Sequence, residues 1–124
     1  TLENLHQTVQ NFANHLQPSG VLIVEPWFTP DTFLPGTLHS LYVNQPELRI
    51  SRMSISQVEG RLSVNVMHYL VGTSEGIEYF TETHQLALFT HEEYLHAFEK
   101  AGLKVHFDPQ GLMNRGLYIG ETSF

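Results

Sequence analysis

Gly20-Val21-Leu22-Ile23-Val24-Glu25-Pro26-Trp27-Phe28 is the stretch that decides how the rest of the chain is read. Four consecutive β-branched or leucine residues between a turn and a carboxylate fit a strand buried on both faces, in the interior of a sheet. Upstream, Leu2, Leu5, Val9, Phe12, Ala13 and Leu16 recur at helical spacing and form one apolar stripe on a helix of about four turns. Pro18-Ser19-Gly20 ends that helix. A helix feeding such a strand is half of an α/β crossover unit, in which function gathers where the strand's carboxyl end opens into a loop. Glu25, Pro26 and Trp27 occupy that end.

The 124 residues suffice for one core without staples, and the absence of cysteine excludes a disulfide scaffold, a thiolate zinc site and a cysteine nucleophile. That composition fits a cytoplasmic protein. No apolar run has the length of a membrane span and no basic-then-apolar leader is present, so a soluble protein is expected. Thirteen Asp and Glu against six Lys and Arg give a net charge of −7, which argues against a phosphate-tracking nucleic-acid surface. A small anionic ligand is still allowed, because one placed Arg can bind a diphosphate locally. The first residue is Thr1 rather than Met, and the expectation is a trimmed or partial chain.

Residues 26–46 hold four prolines with Trp27, Phe28, Phe33 and Tyr42 among them, and are expected to form an ordered lid. Arg49 to Val58, Arg61 to Val71 and Ile77 to Phe89 alternate as strands, with turns at Glu59-Gly60 and at residues 73–76, which predicts an antiparallel three-stranded meander. Thr90 as N-cap, Glu93 as its capping-box partner and Phe89 with Tyr94 as a staple start a second helix, which Gly102 ends. A strand from Leu103 to Phe107, a turn at residues 108–111 and a final antiparallel strand from Arg115 to Gly120 complete the pattern.

The ordered set Glu25-Pro26-Trp27-Phe28-x-Pro30, His68-Tyr69-Leu70-Val71, Phe80-x-Glu82-x-His84 with Leu88-Phe89, Ala101-Gly102-Leu103 and Arg115-Gly116-Leu117-Tyr118-x-Gly120 resembles the sugar N,N-dimethyltransferases that act on thymidine-diphosphate-linked deoxyaminosugars. The resemblance runs from about Leu2 to Gly120. It implies the carboxyl-terminal half of a class I S-adenosylmethionine-dependent methyltransferase: an α/β, Rossmann-like sheet with the meander inserted between the core strand and the capped helix. The expected division is residues 1–25, helix and core strand; 26–89, lid and insert; and 90–124, helix and terminal strands.

In that family a glycine-rich turn after the first strand and an acidic residue after the second hold the methyl donor, and this sequence has neither, since its glycines are isolated turn residues. The expectation is therefore no tight S-adenosylmethionine binding by this chain and no catalytic residue within it. By resemblance, Glu25 and Trp27 border the sugar and Arg115 meets the nucleotide diphosphate. Taken alone, the residues leave Glu25 open to a backbone-bonding role, Trp27 to lid filling and Arg115 to an ion pair with one of many carboxylates. Asn114 stands where the family pattern has Gly before the Arg.

Eight histidines give no metal pattern: His91 and His96 do not share a helix face, His6 and His15 flank the first stripe, and His68 and His84 are expected to be core residues of the meander. Three readings follow: the acceptor-binding half of a methyltransferase, a subunit of a split enzyme, or a noncatalytic binding module. An edge left without its neighbour on the core strand predicts a homo-oligomer or association with a missing amino-terminal half.

Overall fold

A computed structural model describes residues 1–123. The elements run α1 (Leu2–Asn14), β1 (Val21–Val24), β2 (Leu38–Gln45), β3 (Leu48–Glu59), β4 (Leu62–Thr73), β5 (Gly76–Ala87), α2 (His91–Lys100), β6 (Leu103–Asp108) and β7 (Leu117–Thr122). They form two compact units, residues 1–32 with 88–123, and residues 33–87. No helix among the described residues is long and apolar enough to cross a membrane.

In the first unit β7 lies between β1 and β6, antiparallel to both. The register aligns Leu22 with Gly120 and Val105, and Val24 with Tyr118 and Phe107, so these residues share one face. Against that face pack α1 through Val9 and α2 through Tyr94, Ala97 and Phe98, closing a core with Leu103 and Tyr118. Gly120 permits the close approach of α2, because a Cβ there would stand 2.6 Å from Phe98 Cδ1. The start of α2 follows its sequence signals: Thr90 accepts from the Glu93 amide, the Glu93 carboxylate accepts from the Thr90 amide, and the Phe89 and Tyr94 rings meet edge-on at 5.7 Å.

The opposite face of β1 corrects one expectation. Val21 is 49% exposed and Ile23 60% exposed, so β1 is buried on one face and not on two. The physical reason is that both helices of this unit pack on the side of Leu22 and Val24, and β1 has β7 as its one ladder partner among the described residues. Phe12 also departs from its stripe and is exposed.

The second unit is a four-stranded antiparallel sheet in the order β2-β3-β4-β5, one strand more than the meander expected from the sequence. The extra strand, β2, lies inside the stretch expected to be lid, where the two residues Pro46 and Glu47 turn it back onto β3. The β3–β4 turn holds Gly60 and Arg61, one residue later than expected, with Gly60 at φ 59°. His68 and His84 are not core residues. His68 Nδ1 lies 2.6 Å from the Tyr79 hydroxyl, His84 Nε2 lies 3.4 Å from Glu82, and both rings are exposed on opposite faces of the sheet.

Candidate functional site

The carboxyl ends of β1 and β6, the turn before β7 and the first turn of α2 enclose an open cavity of about 780 Å³, where the topology of an open sheet gathers function. Its wall comprises residues 26, 28–32, 90–92, 107, 109, 114, 115 and 118. Pro26 ends the β1 ladder, and the chain then turns tightly: Thr29 Oγ1 donates to Asp31 at 2.6 Å and the Thr29 amide donates to Thr32 Oγ1 at 2.9 Å. The Thr29 hydroxyl holds the Asp31 carboxyl below its usual range, so Asp31 is an anion at the cavity wall.

Arg115 is the cation of this wall. It stands between two left-handed residues, Asn114 at φ 59° and Gly116 at φ 88°. Asn is the residue other than Gly that tolerates this region best, so Asn114 can hold the turn before Arg115. At Gly116 a Cβ would meet the Phe107 ring at 2.4 Å, so the turn requires glycine.

The three residues expected at the sugar and nucleotide site come together, in a different arrangement from the one expected. Arg115 Nη2 donates to Glu25 Oε1 at 2.7 Å and Nε donates to the Pro26 carbonyl at 3.2 Å. The guanidinium carbon lies 5.4 Å from the Trp27 ring and 5.5 Å from the Phe28 ring. Of the three, Arg115 lines the cavity, while Glu25 and Trp27 do not. Glu25 thus grips Arg115 from behind, and the carboxylates on the wall itself are Asp31 and Glu92.

A further pair escaped the sequence reading. His91 Nδ1 lies 2.7 Å from the Tyr118 hydroxyl, and both residues line the cavity. The Tyr118 ring is 1% exposed and sits among Phe107, Tyr94 and Phe98, with His91 tilted against Phe107 at 4.5 Å. Burial, with the nearby Tyr94 and Glu92, pushes the Tyr118 hydroxyl far above the ordinary phenol range. Burial likewise raises Tyr94, against a hydrogen bond with the Trp27 backbone. Only the position of His91 just after the Thr90 N-cap was visible in sequence.

No described strand passes through a glycine-rich turn into a helix, and the first turn of α2 already spends amides on its own capping box. Among the described residues no three His, Asp or Glu stand close enough to hold a metal ion.

No family model matches the chain. Among curated proteins it is 40% identical over 120 residues, 97% of its own length, to a dTDP-4-amino-2,3,4,6-tetradeoxy-D-glucose N,N-dimethyltransferase of Saccharopolyspora spinosa. It is 41% identical over 117 residues to a dTDP-3-amino-3,6-dideoxy-alpha-D-glucopyranose N,N-dimethyltransferase of Streptomyces fradiae. It covers 48% of the first and 46% of the second, so the chain spans about half the length of the curated relatives it matches. Among solved structures, Streptomyces venezuelae DesVI superposes with a TM-score of 0.92 at 36% identity, over 99% of this chain and 52% of DesVI. SAM-bound CalS10, an amino pentose methyltransferase from Micromonospora echinaspora, superposes with 0.91 at 32% identity, over 99% and 52%. In sequence and in fold the chain is a homologue of the dTDP-aminosugar N,N-dimethyltransferases, matching about half of their length in a manner consistent with a carboxyl-terminal half.

Proposed function

We propose that the chain is the acceptor-binding half of an S-adenosylmethionine-dependent N-methyltransferase acting on a nucleotide-linked amino sugar, and that it transfers no methyl group alone. The observation that carries this reading is Arg115: a guanidinium fixed by Glu25, Pro26 and two aromatic rings, with its remaining edge on a cavity at the carboxyl ends of the strands. A planar fork held this way is suited to phosphate oxygens. Asp31 and Glu92 on the same wall suit the ammonium end of such an acceptor, so the place beside the sugar expected of Glu25 passes to them. Glu25 and Trp27 then serve the substrate through Arg115.

Calorimetry with thymidine diphosphate tests the reading. Binding by the chain that Arg115→Gln abolishes supports it, and absence of binding, or binding indifferent to Arg115, overturns it. Micromolar binding of S-adenosylmethionine by the chain alone would overturn the second part. Whether the donor half is encoded in the same reading frame or by a separate gene separates a partial chain from a split enzyme, and either is cytoplasmic on this reading.

A homo-oligomer is the third part of the proposal. One face of the four-stranded sheet exposes Leu38, Tyr42, Ile55, Leu70, Ile77 and Tyr79, and the charged residues of that face are Arg49 and Glu59, at opposite ends of β3. Two copies meeting on a two-fold axis with β3 antiparallel to itself would bring Arg49 of each against Glu59 of the other. Ile55→Lys with Tyr79→Lys should turn a dimer into a monomer by light scattering. An unchanged mass would remove this face from the proposal.

A further inference from the structure

We propose that His91 is a ligand-binding residue of the same cavity, its imidazole held by Tyr118 so that Nε2–H donates to an oxygen of the nucleotide-linked sugar that Arg115 engages. The inference rests on the acceptor-site reading above. Tyr118 is locked into the core and its hydroxyl meets His91 Nδ1 at 2.7 Å. In the proposed arrangement the Tyr118 hydroxyl donates across this contact, so Nδ1 accepts and the ring proton sits on Nε2. Nε2 lies across the ring from Nδ1. With Nδ1 turned to the buried phenol and Phe107 against the ring, the Nε2 edge is directed away from the core, and no described residue hydrogen-bonds it.

A neutral imidazole N–H is a donor for a phosphate oxygen or a sugar hydroxyl, and both belong to one ligand chemistry. Tyr118 is a positioning residue here: it touches His91, and its own oxygen is committed to that contact.

Two-bond proton–nitrogen NMR spectra of the chain labelled with ¹⁵N-histidine and ¹⁵N-arginine read the arrangement. His91 should show the Nε2–H tautomer, and Tyr118→Phe should mix the tautomers; a mixed or Nδ1–H population in the unaltered chain overturns the proposal. Titration then separates the two oxygens. A shift of His91 Nε2 with thymidine diphosphate assigns phosphate, and a shift appearing only with thymidine-diphosphate glucose assigns a sugar hydroxyl. If the Arg115 Nε signal responds while His91 is silent to both, the proposal falls and the acceptor-site reading stands. If neither residue responds, both fall. Substitution gives the second check, since the Gln amide reaches the place of Nε2 and the Asn amide that of Nδ1. His91→Gln should bind within about twofold of the original and His91→Asn about tenfold more weakly, as expected for one neutral hydrogen bond. Equal losses would overturn it.

Discussion

Replacing Glu25 by Gln keeps the volume and removes the charge that holds Arg115, which makes it a direct test of the Glu25–Arg115 grip. The two side chains are 25% and 19% exposed, so the pair belongs neither to the surface class nor to the fully buried one. Stranding one partner of a buried pair costs about 3–5 kcal/mol, and an exposed pair is worth about 0–1 kcal/mol. With this exposure, and an amide oxygen still able to accept from Nη2, Glu25→Gln should cost about 1.5–2.5 kcal/mol. Arg115→Gln should cost about 2–3.5 kcal/mol, because it also removes the bond to the Pro26 carbonyl and the guanidinium beside Trp27 and Phe28. In the double variant neither charge is stranded, so its cost should fall short of the sum by about 1–2 kcal/mol. Urea unfolding followed by fluorescence measures this cycle, since Trp27 is the single tryptophan of the chain and adjoins the pair. Additivity to within about 0.5 kcal/mol would refute the reasoning and reduce the contact to a surface ion pair.

Thr90→Ala should destabilise the first unit by about 1 kcal/mol through loss of the α2 cap, read as a lower urea midpoint with an unchanged slope. Gly120→Ala drives a Cβ into the Phe98 ring and should cost about 1–3 kcal/mol by the same assay. Tyr118 and Tyr94 have folded-state pKa values above the unfolded phenol near 10, so their contribution is full below about pH 10 and is lost as pH rises through the folded values. Stability should therefore fall by up to about 1.4 kcal/mol per pH unit and per group above pH 10, and Tyr118→Phe should flatten that fall in alkaline melts. Because the chain carries −7 and the cavity wall one cation, thymidine diphosphate affinity should hold or rise as salt shortens the Debye length from about 30 to about 8 Å. A steep loss would mean several cations meet the phosphates, and calorimetry decides.

What the sequence makes legible here is what depends on neighbours close in the chain. The Thr90–Glu93 box, the Phe89–Tyr94 staple and the alternation of β3 to β5 are local, and the structure contains each of them. Faces depend on what lies across space, and there the reading failed. Val21 to Val24 carry the apolar run of a two-face-buried strand, yet Val21 and Ile23 are exposed, because a run of this kind records the hydrophobicity of both faces and not which of them this chain covers. His68 and His84 alternate correctly, but each stands at an exposed position of its face, while Val64 on the one and Ser56 on the other are buried. At the candidate site Glu25, Trp27 and Arg115, named from the sequence, lie together, and their arrangement was not foreseen. No spacing rule brings Arg115 to Glu25 across 90 positions, and only the β1–β7 pairing does so. His91 was passed over because its partner Tyr118 lies 27 residues away on a strand that α2 packs against.

The two bare surfaces differ in the partner each demands. On β1 the exposed Val21 and Ile23 accompany a backbone edge that has no ladder neighbour among the described residues, and unpaired N–H and C=O groups are satisfied by another strand, not by a flat apolar surface. On the four-stranded sheet, Ile55 and Leu70 lie on β3 and β4, whose backbone is paired on both sides, so what remains exposed there is side chain, suited to a matching face. On the reading proposed above, a strand of a donor half answers the first surface and a second copy the second. The two associations use different chemistry, so lysines on the sheet face should change the mass of the assembly without touching the β1 edge. A proline at Leu22 or Ile23 would not serve as the converse test, because β1 must keep its pairing with β7, the contact that brings Arg115 to Glu25.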